Sequence, residues 1–341
     1  MKAEKVTIDG SMGDGGGQIL RTALALSLIT GRPLKIEKIR AGREKPGLQR
    51  QHLAAVRAAR EISGAHVGGA QLGSSAIDFA PGLVAGGDYS FAVGSAGSVT
   101  LVLQTVLPAL MLAPQPSQLT LEGGTHNPGA PPADFLERVF LPLLNRMGPT
   151  VSATLEKYGF YPAGGGRLHV HIQPAEKLER LDLPERGTLR KTTVTAIVSG
   201  LPKSIGQREV EFLRDKFPPE NLHATVRQVP GPGPGNAVFI ELTYEKISEL
   251  MIAFGKRGVS SEAVAATVLK GARTYMAVDA PVGPHLADQL LLPMTLAQGG
   301  SFRTGRPTKH MLTNIDVIKH FLDIKVEIQP IDGKVWQVAI G

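Results

Sequence analysis

One order of elements, met twice in the first half of the chain, constrains the fold more than any single motif. Lys5 to Ile8 alternates as a short strand, and a glycine-rich turn opens a helix from Gln18 to Ile29 with Leu20, Ala23, Leu24 and Leu28 on one face. Leu34 to Ile39 is a strand, Arg50 to Ile62 a helix, and Ser75 to Phe79 a strand. The order then returns. Tyr89 to Ala92 is a strand, Gly94-Ser95-Ala96-Gly97-Ser98 a small-residue turn, and Val99 to Leu112 a helix. Gln118 to Glu122 is a strand, Pro132 to Met147 a helix, and Val151 to Leu155 and Leu168 to Ile172 are strands flanking Gly164-Gly165-Gly166. The recurrence is one of topology, not of residues. A third copy is expected towards the C-terminus. Ser260 to Ala277 and His285 to Gln298 read as helices, Thr313 to Phe321 as a short helix, and Ser301 to Arg303, Lys325 to Gln329 and Trp336 to Ile340 as strands.

Between the copies, about Arg186 to Ala280, the order changes. Thr192 to Val198 is a strand, Gly206 to Lys216 a helix, and Leu222 to Val229 and Val238 to Leu242 are strands. The run Pro230-Gly231-Pro232-Gly233-Pro234-Gly235 is too short for a flexible linker and reads as a turn. The expectation is an α/β (α+β) chain of three repeated units, each with two helices and a four-stranded sheet. Residues 1–185 and 281–341 are expected to form one large domain, and 186–280 a small inserted α/β domain. At 341 residues such a division is ordinary.

A formal charge of +7 favours an anionic partner: nucleic acid, nucleotide or acidic metabolite. The absence of cysteine excludes disulfides, thiolate metal sites and a cysteine nucleophile. The start, MKAEKVTIDG, enters a strand without the apolar core of a signal peptide. The longest apolar run, Val99 to Ala113, contains Gln104 and Pro108 and is too short for a bilayer. A cytoplasmic protein with no membrane association is expected.

The basic charge gathers in Gly10 to His52. Glycines let a backbone approach an oxyanion closely, and a helix N-terminus offers unpaired N–H groups to it. Arg21, Arg40, Arg43, Lys45, Arg50 and His52 can surround one anion, or form a solvated basic face beside a turn. Arginine forks suit phosphate, and the flanking strand and helix favour a fixed clamp. Gly13-Asp14-Gly15-Gly16-Gly17 is neither a Walker loop nor a dinucleotide fingerprint. Asp14 either holds a divalent metal beside phosphates or supports its own turn. Among the nine histidines, His169 and His171 share one strand face with no third ligand evident. His310, in GRPTKHMLTN, stands where a helix begins. Imidazole is a competent nucleophile towards phosphorus, but the residues alone favour a helix cap. Asp288 early in a helix suits the dipole and needs no further reason.

The segments GDGGGQILR, IRAGREKPGLQRQHL, FAVGSAGSVTLVLQTVLPAL, NPGAPPADF, GFYPAGGG, HLADQLLLPM and KHMLTNI, in this order, resemble the RNA 3′-terminal phosphate cyclase family, type 1. The resemblance spans nearly the whole chain. It implies three repeats similar to the C-terminal domain of a bacterial translation initiation factor, with an insert of thioredoxin-like topology. It implies ATP-dependent conversion of an RNA 3′-terminal phosphate to a 2′,3′-cyclic phosphate. A histidine takes AMP from ATP, the AMP passes to the RNA as RNA(3′)pp(5′)A, and the 2′-hydroxyl closes the ring. The nucleophile falls on His310, which overturns the cap reading. Arg21, Arg40, Arg43 and Gln51 match residues that contact phosphates or support catalysis. Gln104, Pro131 and His285, Leu286, Ala287, Asp288 and Gln289 match the ATP-binding segments, with Pro131 packing on adenine. Asp14 matches the position of a divalent metal ligand, Mg2+ or Mn2+. Two departures stand out: bacterial relatives often carry Glu at position 14 and Tyr at position 285. The implied partners are ATP and RNA with a 3′-phosphate end, with a homodimer left open. Two other classes compete. One is a non-catalytic RNA-binding ribosome-assembly protein of the same fold, whose members lack the histidine. The other is an enolpyruvyl transferase of related repeat architecture.

Overall fold

The computed structural model describes residues 4–217 and 222–341. Among them the strands form four mixed four-stranded sheets. The first contains β1 (Val6–Asp9), β2 (Leu34–Glu37), β3 (His66–Gly68) and β4 (Ile77–Ala80), in the order β1-β2-β4-β3. Its first pair is parallel and the others antiparallel. Helix α1 (Gly17–Thr30) connects the parallel pair, and α2 (Arg50–Ser63) leads into β3. Parallel neighbours need such a crossover, which is why a helix separates β1 from β2.

The second sheet repeats the plan with β5 (Asp88–Ala92), β6 (Ser117–Gly123), β7 (Thr150–Lys157) and β8 (Gly166–Gln173), ordered β5-β6-β8-β7. Its crossover is α3 (Val99–Leu110). The helix expected from Pro132 to Met147 runs unbroken from Ala133 to Asn145 but is not α-helical throughout. It consists of α4 (Ala133–Phe135), a π-turn over Leu136–Phe140, and α5 (Leu141–Asn145). Pro142 near the start of α5 lacks the N–H that an unbroken α-helical ladder would use.

After β9 (Leu181–Leu183) the chain builds another sheet before completing the third. Strands β10 (Leu189–Ser199), β11 (Leu222–Gln228), β12 (Gly235–Tyr244) and β13 (Ser248–Phe254) pair as β11-β10-β12-β13. They are accompanied by α6 (Lys203–Lys216) and α7 (Ser261–Met276). Helix α7, read from sequence with the third copy, instead packs on β12, β13 and α6. The chain returns through α8 (Pro284–Leu296), β14 (Gly300–Thr304), α9 (Lys309–Phe321), β15 (Val326–Pro330) and β16 (Trp336–Ile340). β9 pairs with β14, so the last sheet runs β9-β14-β16-β15, the same rank order as the first two.

The helices meet over α1, which packs against α2, α3 and α9, while α8 packs against α9. Most of its apolar side chains are fully buried, Leu20, Ala23 and Leu24 among them, and Gly31 ends it in the left-handed conformation at φ 67°. The glycine turn before α1 thereby faces the start of α9. No helix of the described residues is long and apolar enough to cross a membrane.

Candidate active site

The first turns of α1 and α9 are held together by contacts that only glycine admits. Gly13 has φ 52°, and a Cβ there would lie 2.1 Å from Thr313 Oγ1. A Cβ on Gly17 would lie 2.3 Å from His52 Nε2. The Asp14 N–H donates to Thr313 Oγ1 at 2.9 Å. Thr308, not His310, caps α9: its hydroxyl accepts from the Met311 N–H at 3.1 Å. His310 sits within the first turn, with its side chain about half exposed.

Two carboxylates flank that imidazole. Nδ1 lies 3.5 Å from Asp288 Oδ2, and Nε2 lies 3.3 Å from Asp14 Oδ2. Asp288 is itself fixed. Its Oδ1 accepts from Gln18 Nε2 at 2.8 Å and from Asn314 Nδ2 at 3.1 Å. Gln18 also donates to the His310 carbonyl at 2.9 Å, and Gln18 Oε1 is buried without a protein partner. The Asp288 hydrogen bond, then the charges of Asp288 and Asp14, raise the His310 pKa against the opposing pull of burial. A carboxylate on Nδ1 favours the tautomer with its proton there and leaves the Nε2 lone pair outward.

The predicted cations separate into different roles. Arg43 pairs with the Asp14 carboxylate and donates to its carbonyl at 3.0 Å. Arg21 is buried, and its Nε donates to Gln104 Oε1 at 3.1 Å. Burial pushes its pKa down to about 10 with Asp288 opposing, so it stays charged at neutral pH. Arg40 adopts φ 54° and folds back onto the carbonyls of Lys45 and Gly47, supporting its own loop. Gln51 Oε1 accepts from the Ser98 N–H at 3.3 Å, tying α2 to the start of α3. Arg50 Nη1 donates to the Gly94 carbonyl at 3.4 Å on the same junction. Lys45 is exposed. His52 is no cation. Burial, Arg21 and Arg40 push its pKa down to about 3, and its Nδ1 accepts from the Gln49 N–H at 3.0 Å.

Beside this cluster, α1, α3, the π-turn, α8 and α9 line a narrow cleft that opens to solvent. Leu103, Leu107, Leu136, Phe140 and Leu292 supply apolar wall, and Gln104, Asp288, Gln289 and Asn314 supply polar groups. An apolar slot with a few convergent polar groups suits a flat heterocycle. Leu286 and Ala287 are core residues that hold α8 in place. His285 is exposed, and its pKa is lowered by desolvation and by His310, with Asp288 opposing. Pro131 contributes its carbonyl, which accepts from Thr100 Oγ1 at 2.7 Å.

None of Gln18, Thr22, Thr313 and Asn314 was given a role in the sequence, although all but Thr22 stand within the quoted motifs. Their signal was spacing. Gln18, Arg21 and Thr22 stand at i, i+3 and i+4 on α1, as do His310, Thr313 and Asn314 on α9. Apart from His310 these polar residues are buried, and Thr22 Oγ1 donates to Asn314 Oδ1 at 2.7 Å across the two faces. Elsewhere, exposed His169 bonds Glu156 and Thr120, and no group of three His, Asp or Glu gathers around a metal position among the described residues.

The family model described as RNA 3′-terminal phosphate cyclase matches residues 12–328. The RNA 3′-terminal phosphate cyclase of Koribacter versatilis is 53% identical over 325 residues, covering 95% of this chain and 91% of its own. The Salmonella paratyphi C protein of the same name is 50% identical, covering 99% and 98%. That of Pseudomonas fluorescens is 48% identical, also covering 99% and 98%. Among solved structures, the enolpyruvyl transferase NikO from Streptomyces tendae aligns with TM-score 0.38 and 13% identity, this chain spanning 48% of that one. On the matched model and these near full-length identities, the chain belongs to the RNA 3′-terminal phosphate cyclase family.

Proposed function

We propose that His310 is the nucleophile of an ATP-dependent RNA 3′-terminal phosphate cyclase. The observation that carries this is the setting of its imidazole, with Nδ1 towards Asp288 and Nε2 beside the glycine turn, Arg43 and Asp14. In the first step Nε2 bonds to the α-phosphorus of ATP and the bond to the pyrophosphate oxygen breaks. In the second an oxygen of the RNA 3′-phosphate attacks that phosphorus, and the histidine leaves. In the third the vicinal 2′-hydroxyl loses its proton and attacks the 3′-phosphorus. AMP departs, and the 2′,3′-cyclic phosphate remains. Arg21 and Arg43 would offset charge gathering on the phosphates, and Gln104, Asp288 and Gln289 would line the nucleoside. Arg40 and Gln51 would act by holding the basic loop and the α2–α3 junction.

Asp14 would hold the divalent cation, Mg2+ or Mn2+, that accompanies ATP. The donors fit a small hard cation, which commonly takes one or two carboxylates and completes its shell with phosphate oxygens and water. Bound there, it would draw Asp14 from Arg43 and neutralise phosphate charge.

The shared strand rank order of three sheets supports reading them as three repeats, with residues 186–280 as an insert of thioredoxin-like topology. Denaturing gels after incubation with α-labelled ATP and metal test the nucleophile. Acid-labile label is expected on the protein and is expected to vanish in His310→Ala. Label that persists in the variant would place the nucleophile elsewhere.

A further inference from the structure

The unit built on the fourth sheet reaches the wall of the cleft through a buried acid. Glu249 lies on β13, opposite Leu242 of β12, and is 5% exposed. Its Oε2 accepts from the Gly283 N–H at 2.9 Å, and its Oε1 from the Leu250 N–H at 3.1 Å. Gly283 is the N-cap of α8, in an extended conformation and without a side chain to cap the helix. Glu249 therefore supplies, from a different sheet, an acceptor and an acidic group at the start of α8.

That helix start presents the site. His285 stands two residues beyond Gly283, and Asp288 and Gln289 follow on the next turn. The fit is close: a Cβ on Gly283 would lie 2.2 Å from Glu249 Oε2. The preceding residues are fastened on both sides. The Tyr275 hydroxyl donates to the Pro281 carbonyl at 2.7 Å, and the Thr304 hydroxyl donates to the Val282 carbonyl at 2.8 Å. Burial of an acid in this way costs stability, and desolvation pushes the Glu249 pKa up to about 7 against the two backbone bonds.

We propose that Glu249 is a positioning residue for nucleotide binding: from the inserted unit it fixes the first turn of α8, and through it the placement of His285 and Asp288. This rests on the reading of the cleft as the ATP site. Equilibrium binding of a non-hydrolysable ATP analogue by the full chain tests it, because that readout needs no covalent step. Glu249→Ala should weaken binding about fivefold, the effect of a lost capping bond. Glu249→Gln keeps one acceptor oxygen, which can still serve the Gly283 N–H at the expense of the Leu250 N–H, and should restore most of the binding lost in Glu249→Ala. Gly283→Ala approaches the contact from the other side and should weaken binding similarly. Combined with Glu249→Ala it should add little, since both remove one interaction. If Glu249→Ala fails to fold, Gly283→Ala carries the test. Wild-type affinity in the folded variants would overturn the inference alone. Absence of analogue binding in the unaltered protein would overturn the reading of the cleft and the inference with it.

Discussion

His310 faces an acid through each ring nitrogen, and the two acids act differently on it. Asp288 is locked by Gln18 and Asn314, whereas Asp14 is shared with Arg43. Asp288 is also the largest cause of the raised His310 pKa. Only the neutral imidazole attacks phosphorus, so self-adenylylation should rise as pH rises through that raised pKa. The linkage to stability has the opposite sign. The ion pairing contributes fully below the unfolded value near 6.5, and the contribution is lost as pH rises through the folded pKa. Asp288→Asn should shift the rate profile towards acid and lower its plateau on the order of 100-fold, because the amide no longer enforces the tautomer. Single-turnover label transfer across pH checks this. An unmoved profile would show that Asp288 acts on the nucleotide alone. From residue type and position alone neither His310 nor Asp288 stood apart from an ordinary helix-start residue; only the family resemblance singled them out. In the fold they are brought within 3.5 Å of each other across 21 intervening positions that include β14.

At the scale of elements, the glycine turn acts as a spacer between two helices. Positive φ occurs at both Gly13 and Gly31, but their surroundings differ. Around Gly31 an added Cβ meets nothing within 4 Å, while at Gly13 it meets Thr313. Gly31→Ala should therefore cost about 1 kcal/mol in backbone strain and leave adenylylation unchanged. Gly13→Ala carries the same strain and also pushes the first turn of α9 away from α1, so adenylylation should fall tenfold or more, about 1.4 kcal/mol in the barrier. Thermal unfolding and label transfer measured on both variants check it, and equal activity loss in the two would remove the spacer role. Strand β8 was legible in sequence because its alternating burial left a clear pattern, and α1 because apolar residues recur at helical spacing between a glycine turn and Gly31-Arg32-Pro33. Strands β3 and β9 are three residues each, too short to show a period, and β13 lies in the run SELMIAF, whose Leu250, Met251 and Ile252 stand side by side without alternation. The π-turn after Phe135 escaped because its residues keep a helical apolar spacing.

Over the whole molecule, the fourth-sheet unit is joined to the second-sheet unit through charge and aromatic packing. Arg138, in the π-turn, binds Asp134 Oδ1 at 2.9 Å and Glu241 Oε2 of β12 at 3.2 Å. Asp134 Oδ2 lies 2.8 Å from Nε2 of His126, which is fully buried with its ring 5.1 Å from Tyr158 and 6.2 Å from Phe239 of β12. This junction was not legible in sequence. Its long-range members are Phe239, more than 100 positions from His126, and Glu241, more than 100 from Arg138. Such a junction should make the wild type unfold as one cooperative body. Arg138→Ala leaves Asp134 and Glu241 facing each other across the junction without their shared cation, a loss of roughly 3 kcal/mol for a buried pair and less where solvent reaches it. The fourth-sheet unit should then melt first. The chain's lone tryptophan, Trp336, lies in β16 of the third sheet and reports that body by fluorescence, while far-ultraviolet circular dichroism reports every helix and strand. In the wild type the two transitions should coincide. In Arg138→Ala the dichroism should fall before the fluorescence changes. Coincident transitions in the variant would mean that the aromatic packing around His126 is sufficient to couple the units without the arginine.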